Sequence, residues 1–166
     1  MLAPVSRCMN ADIDAVRVAM TEDGPVPVVV LAPDDDEGVL PIFIGFEEAV
    51  SIARGLEAED IGRPLTHDLT LDLVEELGGR ITRVVVSSLE DNTYIADLHL
   101  DTPRGETVVD ARPSDSLALA ARTNAPIEVD GEVFEESRTP RGEFEELDDI
   151  RDVVELVPGS GGPDIA

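Results

Sequence analysis

The chain has no lysine, no tryptophan, one tyrosine, four phenylalanines and a single cysteine, Cys8. One thiol forms no intrachain disulfide, and such sparse use of cysteine fits a reducing compartment. The longest apolar run, "VPVVVLA", is far short of the ~20 residues a membrane-spanning helix needs. The N-terminal "MLAPVSRCMNADIDAV" lacks a basic segment followed by an apolar core, so no secretory signal is expected. These absences predict a soluble cytoplasmic protein with no membrane association. A Gly-rich phosphate loop, a paired-cysteine metal site, HExxH and G-x-S-x-G are also missing, which argues against the enzyme classes they mark and against an organic cofactor.

Acidic charge, by contrast, is abundant. Thirty-seven Asp and Glu face twelve basic residues, all arginine, for a net charge of −25. Self-repulsion on that scale destabilises a compact state at ordinary ionic strength. In ~1 M salt the Debye length shrinks to about 3 Å and most of the repulsion is screened. An acidic, lysine-free surface therefore predicts adaptation to high salt. Disorder is the other reading of acidic composition, but a chain 42% hydrophobic with periodic apolar blocks predicts a folded one. No basic patch suited to coating nucleic acid is visible.

The periodicity predicts one α+β domain with a mixed, mainly antiparallel sheet and three to four helices. "DIDAVRVAM" and "VPVVVLA" flank the turn "TEDGP" as a strand pair, and "VLPIFIG" follows the acidic turn "DDDEG". From Phe46 the period becomes helical, with Ala49, Ile52, Ala53 and Leu56 on one stripe. A second helix follows "GRP", with Thr66 as its N-cap, Leu69, Leu73 and Leu77 as its buried stripe, and Gly78-Gly79 as its stop. "RITRVVVSSL" and "TYIADLHLD" form a hairpin, "ETVVDA" adds a strand, "PSDSLALAART" a third helix and "PIEV" a further strand. Residues 1–138 are assigned to the domain and 139–157 to an amphipathic C-terminal helix, on the spacing of Phe144, Leu147, Ile150, Val154 and Val157. Residues 158–166 are expected to be a flexible tail.

Two junctions resemble each other. "GRPLTHDL" and "ARPSDSL" both set Arg-Pro before a helix whose first turn carries an aspartate. Proline holds the preceding residue extended, so Arg63 and Arg112 should stand at the helix mouths. Thr66 and Ser114 can cap, and first-turn N–H groups favour an anion, whether Asp68, Asp115 or an arriving phosphate with arginine as its partner. Caps and first-turn acids are also ordinary helix chemistry. The neighbouring His67 raises the interest, since His67 and His99 are the only histidines available for proton transfer near neutral pH. His99 lies in an Asp97–His99–Asp101 row that reads as the wet face of a half-buried strand.

The stretches "LPIFIGFEEAVSIA", "RPLTHDL" and "VDARPSDSLALAARTNAPIEV", in that order, resemble the bifunctional nuclease (BFN) domain, across roughly Val28 to Phe134. The resemblance implies a compact α/β fold that tends to homodimerise and an activity on DNA and RNA. It carries over Glu48, Arg63, His67, Asp68, Asp110, Arg112, Ser114 and Asp115. Some bacterial relatives append a helical hairpin; "EFEELDDIRDVVELV" offers one helix.

The leading expectation is metal-assisted phosphodiester hydrolysis. Asp68, Asp110 and Asp115, with Glu48, would hold Mg²⁺ or Mn²⁺, which suit oxygen ligands. His67 would act as general acid or base with Asp68 and Asp115 beside it, while Arg63 and Arg112 stabilise charge on the phosphate. Ser114 and Thr66 would contact substrate. A non-enzymatic dimeric module recognising a small anion or a partner protein is the alternative. A third reading makes the Arg–Asp pairs a structural network that fixes helix docking. A shared active site requires the two junctions to converge.

Overall fold

The computed structural model describes residues 7–156. Strands β1 (Cys8–Thr21), β2 (Gly24–Pro33) and β3 (Gly38–Phe43) run as an antiparallel meander, followed by helices α1 (Phe46–Glu57) and α2 (Thr66–Glu76). A second meander comprises β4 (Arg80–Glu90), β5 (Thr93–Thr102) and β6 (Gly105–Ala111). Helix α3 (Pro113–Thr123) leads into β7 (Ile127–Asp130), which joins the meanders by pairing parallel to β4 and antiparallel to β1. The β4–β5 turn has Asp91 and Asn92 both at positive φ (49° and 63°), the two-residue geometry that matches the twist of paired strands. The chain continues through α4 (Gly131–Ser137), β8 (Thr139–Pro140), a 3₁₀ turn at Arg141–Glu143, β9 (Asp148–Asp149) and α5 (Ile150–Val153). The result is one open nine-stranded sheet ordered β6-β5-β4-β7-β1-β2-β3-β8, with β9 added to β1. The α+β class and the mainly antiparallel sheet agree with the sequence pattern.

Strand β2 explains the unbroken "VPVVVLA" run. Val29 and Leu31 enter the main core beneath the helices, while Val28, Val30 and Ala32 face a smaller cluster with Val39, Phe144 and Leu147. A strand buried on both faces loses the usual polar alternation. Helix α3 is the central helix: Leu117, Ala118, Leu119 and Ala120 are all buried. Helix α1 packs against it through Ala49, Ile52 and Ala53. At Gly55 the two helices come close enough that a Cβ would stand 2.9 Å from Ala121 Cβ and 3.0 Å from Arg122 Nη1, so only glycine lets the Arg122 side chain pass.

Two expectations fail here. Residues 139–157 are not one helix. Phe144 and Leu147 pack on one side of the sheet, whereas Ile150 and Val154 join the main core on the other. The apolar spacing is thus divided between two cores by a segment that crosses β1, and Asp149 caps the short α5 by accepting from Arg151 N–H. Val157 and the predicted tail lie outside the described residues.

The second failure concerns α2. Its leucines Leu69, Leu73 and Leu77 are 50%, 55% and 77% exposed, and its half-buried residues are His67, Asp68, Leu71 and Val74. At about 100° per residue these form two different faces, and the one carrying His67 and Asp68 turns inward. Leu56 of α1 is likewise exposed.

Candidate active site where three helices meet

The site is built from the mouths of α2 and α3 and the polar side of α1. Arg112, extended at φ −70° and ψ 145° as proline requires, is the N-cap residue of α3. Asp115, one turn in, accepts from Arg112 twice, Nε to Oδ2 at 2.9 Å and Nη2 to Oδ1 at 3.2 Å. The same Oδ1 lies 2.9 Å from His67 Nε2 at the start of α2. Residues 48 positions apart in sequence thereby meet, and the two junctions form one site. Arg112 also reaches Glu48 of α1 at 3.5 Å.

The other ring nitrogen, His67 Nδ1, sits 2.5 Å from Ser51 Oγ on α1. Ser51 in turn is gripped by Arg122 from the far end of α3, with Nη1 donating to its carbonyl at 2.9 Å and Nη2 to its Oγ at 3.2 Å. Arg122 Nε donates to Asp68 Oδ1 at 2.7 Å, and Asp68 Oδ2 accepts from the Leu65 N–H at 3.1 Å. A continuous hydrogen-bonded chain thus runs Leu65–Asp68–Arg122–Ser51–His67–Asp115–Arg112. Among the ionisable members of this chain Arg122 is the best shielded, its side chain 9% exposed. Asp115 at α3 position three and Arg122 two turns on bracket the network from a single helix face.

Burial pushes both aspartates toward protonation, but their arginine partners outweigh it. For Asp68 the Arg122 and Leu65 hydrogen bonds hold the carboxyl below its ordinary value; for Asp115 those from Arg112 and His67 do. Burial, followed by the nearby Arg122 charge, lowers Arg54. Arg54 Nε donates to the Leu156 carbonyl, so the C-terminal segment ties down this wall. Around the network lies a cavity of about 600 Å³ whose lining includes Ser51, Arg54, Thr66, His67, Arg112 and Asp115.

The remaining sequence candidates fall differently. Thr66 lines the cavity but does not cap α2, whose N-cap is Leu65; Asp68 supplies the capping acceptor instead. Ser114 is no cap either: it is buried, 6% exposed, inside the first turn of α3. Arg63 is exposed and absent from the cavity lining. Asp110 sits exposed on β6, paired in register with Asp97 on β5, and is not among the residues lining the cavity. Sequence reasoning missed Ser51, Arg54 and Arg122. The available signal was their spacing, with Glu48, Ser51 and Arg54 at three-residue steps along the polar side of α1.

Asp68, Asp110 and Asp115, named for a metal, do not fit that role, and Glu48, the fourth, lines the cavity and faces Arg112 at 3.5 Å. Asp68 and Asp115 spend their oxygens on arginine, histidine and a backbone N–H, and Asp110 is elsewhere. Among the described residues no group of three or more His, Cys, Asp or Glu is placed to hold an ion. The Asp97–His99–Asp101 row is not such a group either. No described helix is long and apolar enough to cross a membrane.

Residues 29–141 match the family model of the bifunctional nuclease domain, and every side chain of the Ser51–His67–Asp115 chain lies within that span. The chain belongs to the bifunctional nuclease domain family. It is 37% identical over 123 residues to an uncharacterised protein of Mycobacterium tuberculosis, covering 74% of this chain and 73% of that relative. It is 28% identical over 127 residues to Bifunctional nuclease 2 of Oryza sativa subsp. japonica, covering 74% of this chain and 38% of the rice protein. Against Bifunctional nuclease 2 of Arabidopsis thaliana the identity is 29% over 109 residues, 63% of this chain and 33% of the relative. This BFN-domain chain therefore spans little more than a third of the plant proteins it matches. Glu155, which lines the cavity, and Leu156, whose carbonyl holds Arg54, lie beyond the family segment.

Proposed function

We propose that this protein is a nuclease that hydrolyses phosphodiester bonds of DNA or RNA in a salt-rich cytoplasm. The observation that carries the proposal is the 2.9 Å bond between His67 and Asp115, which joins both signature junctions at one cavity. Asp115 orients the imidazole, as a carboxylate does for a proton-transferring histidine. Arg112 and Arg54 on the cavity wall offer guanidinium groups suited to a phosphate. No step needs a cation held by the protein; Mg²⁺ or Mn²⁺ would arrive as counterions of the nucleic acid. The acidic surface favours this site over nonspecific backbone binding, because substrate is drawn only where arginines gather.

Homodimerisation belongs to the same proposal. The exposed leucine row of α2 is the surface that would seat a second copy, and burying it would recover the apolar gain this chain leaves unused. The deciding experiment assays single-stranded DNA and RNA cleavage at molar salt with Mg²⁺, Mn²⁺ or chelator, beside His67→Ala and Asp115→Ala. Loss in both variants supports the nuclease; equal cleavage by all three proteins would identify a contaminant. Binding without cleavage would favour the anion-recognition module.

A further inference from the structure

We propose that Ser51, not a water molecule, is the nucleophile of this site. The inference rests on the nuclease reading for its substrate, but its geometry stands independently. Arginine only donates hydrogen bonds, so the Arg122 Nη2 contact makes Ser51 Oγ an acceptor and leaves its single O–H to donate elsewhere. The acceptor in reach is His67 Nδ1, at 2.5 Å. Asp115 Oδ1, a carboxylate oxygen that also takes a bond from Arg112, can only accept, so the neutral His67 ring carries its proton on Nε2 and donates it there, leaving Nδ1 as the acceptor. The one ring nitrogen able to take a proton faces the serine hydroxyl, so a proton enters His67 from Ser51.

This is the arrangement of an activated hydroxyl: nucleophile, base and orienting carboxylate in hydrogen-bond sequence. Here the serine meets Nδ1 and the aspartate Nε2, the reverse of the serine-protease assignment. Such constellations are recognised by geometry and roles rather than by sequence position. Arg122 adds what a purely structural serine does not need, a shielded positive group aimed at the oxygen on which charge develops. The half-buried Ser51 opens on the same cavity as Arg54 and Arg112.

With a phosphodiester in that cavity, Ser51 Oγ forms a bond to phosphorus as the bond from phosphorus to one sugar oxygen breaks. The serine proton passes to His67 Nδ1 and then to the departing sugar oxygen. Water next attacks the serine-linked phosphodiester and gives its proton to His67; the serine–phosphorus bond breaks, and Oγ recovers a proton from the ring. One water is consumed, and a phosphate monoester and an alcohol are released.

The test uses diisopropyl fluorophosphate, which phosphorylates activated serines with loss of fluoride. The full chain is incubated with the reagent at molar salt, and peptides are mapped by mass spectrometry. The expected result is a diisopropylphosphoryl group on Ser51, absent from Ser51→Ala, with His67→Ala slowing labelling of Ser51 by about 100-fold or more. In parallel, cleavage of single-stranded nucleic acid should be lost in Ser51→Ala at an unchanged circular-dichroism spectrum. Should that variant fail to fold, labelling of the native chain decides alone. An unlabelled Ser51 in folded protein, or full cleavage by Ser51→Ala, overturns the proposal and leaves the nuclease reading standing. A labelled Ser51 in a protein that cleaves no nucleic acid supports the nucleophile and overturns the nuclease reading instead.

Discussion

Helices α2 and α3 begin alike and end differently. Each follows an Arg-Pro pair, carries an aspartate in its first turn and is amphipathic, yet α3 buries seven residues and α2 none. Helix α3 packs beside α1 and against α2 while resting on β4 and β5, so its apolar positions are covered from several sides. Helix α2 leans on α3, and its one inward face carries His67 and Asp68 beside Leu71 and Val74. A leucine stripe shows that a face requires cover, without saying that the same chain supplies it. The polar pair fixes the rotation of α2, because the side-chain partners of His67 and Asp68 lie in α1 and α3.

The sharpest way to break this comparison is to truncate equivalent leucines. Leu117→Ala empties a fully buried position in α3 and should cost about 3 kcal/mol, read by urea denaturation at high salt. A loss no larger than that of Leu73→Ala would mean the two helices are equally covered. The residues of the first junction separate next. His67→Ala should lower kcat/KM for nucleic-acid cleavage by about 100-fold, while Arg63→Ala, exposed and outside the cavity, should change it by less than about two-fold. A comparable loss in Arg63→Ala would restore the symmetry of the junctions.

Acid provides a third contrast. Asp68 and Asp115 have folded-state values below the ordinary carboxyl value of about 3.9, so the unfolded chain binds protons first as pH falls. Their contribution is full above the ordinary value and disappears as pH drops through the folded values. The melting temperature should therefore fall in that window, and Asp68→Asn with Asp115→Asn should flatten the decline. The smallest effect expected is Leu73→Ala, under about 0.5 kcal/mol in a monomer. Leu73→Glu sharpens it, since analytical ultracentrifugation would show a dimer dissociating if that row seats a second copy.

Most strands were legible because alternation and turn residues are local signals. "VPVVVLA" and "EDN" suffice for β2 and the β4–β5 turn. The C-terminal segment was not, because Phe144 and Ile150 share a helical spacing while serving opposite faces of the sheet; periodicity carries no information about which core a residue joins. The junctions named His67, Asp115, Arg112 and Asp68; the first three meet directly, and Asp68 joins them through Arg122 and Ser51. Ser51 and Arg122 escaped because their partners at the site lie on other helices, and the three-residue step from Glu48 to Arg54 marks only a polar face of α1. Their meaning arises only when Gly55 lets α1 and α3 approach.

The strap from β9 to Leu156 bears on how the protein comes into being. Arg54 is held by the Leu156 carbonyl and Glu155 lines the cavity, although both acceptor and acid follow the whole family segment in the chain. During synthesis, a nascent chain emerging from the N-terminus can assemble the sheet and bring Ser51, His67 and Asp115 together before that wall exists. The wall that carries Arg54 is thus closed after the rest of the cavity, and a protease that clips near Leu156 would release the Arg54 guanidinium from its acceptor.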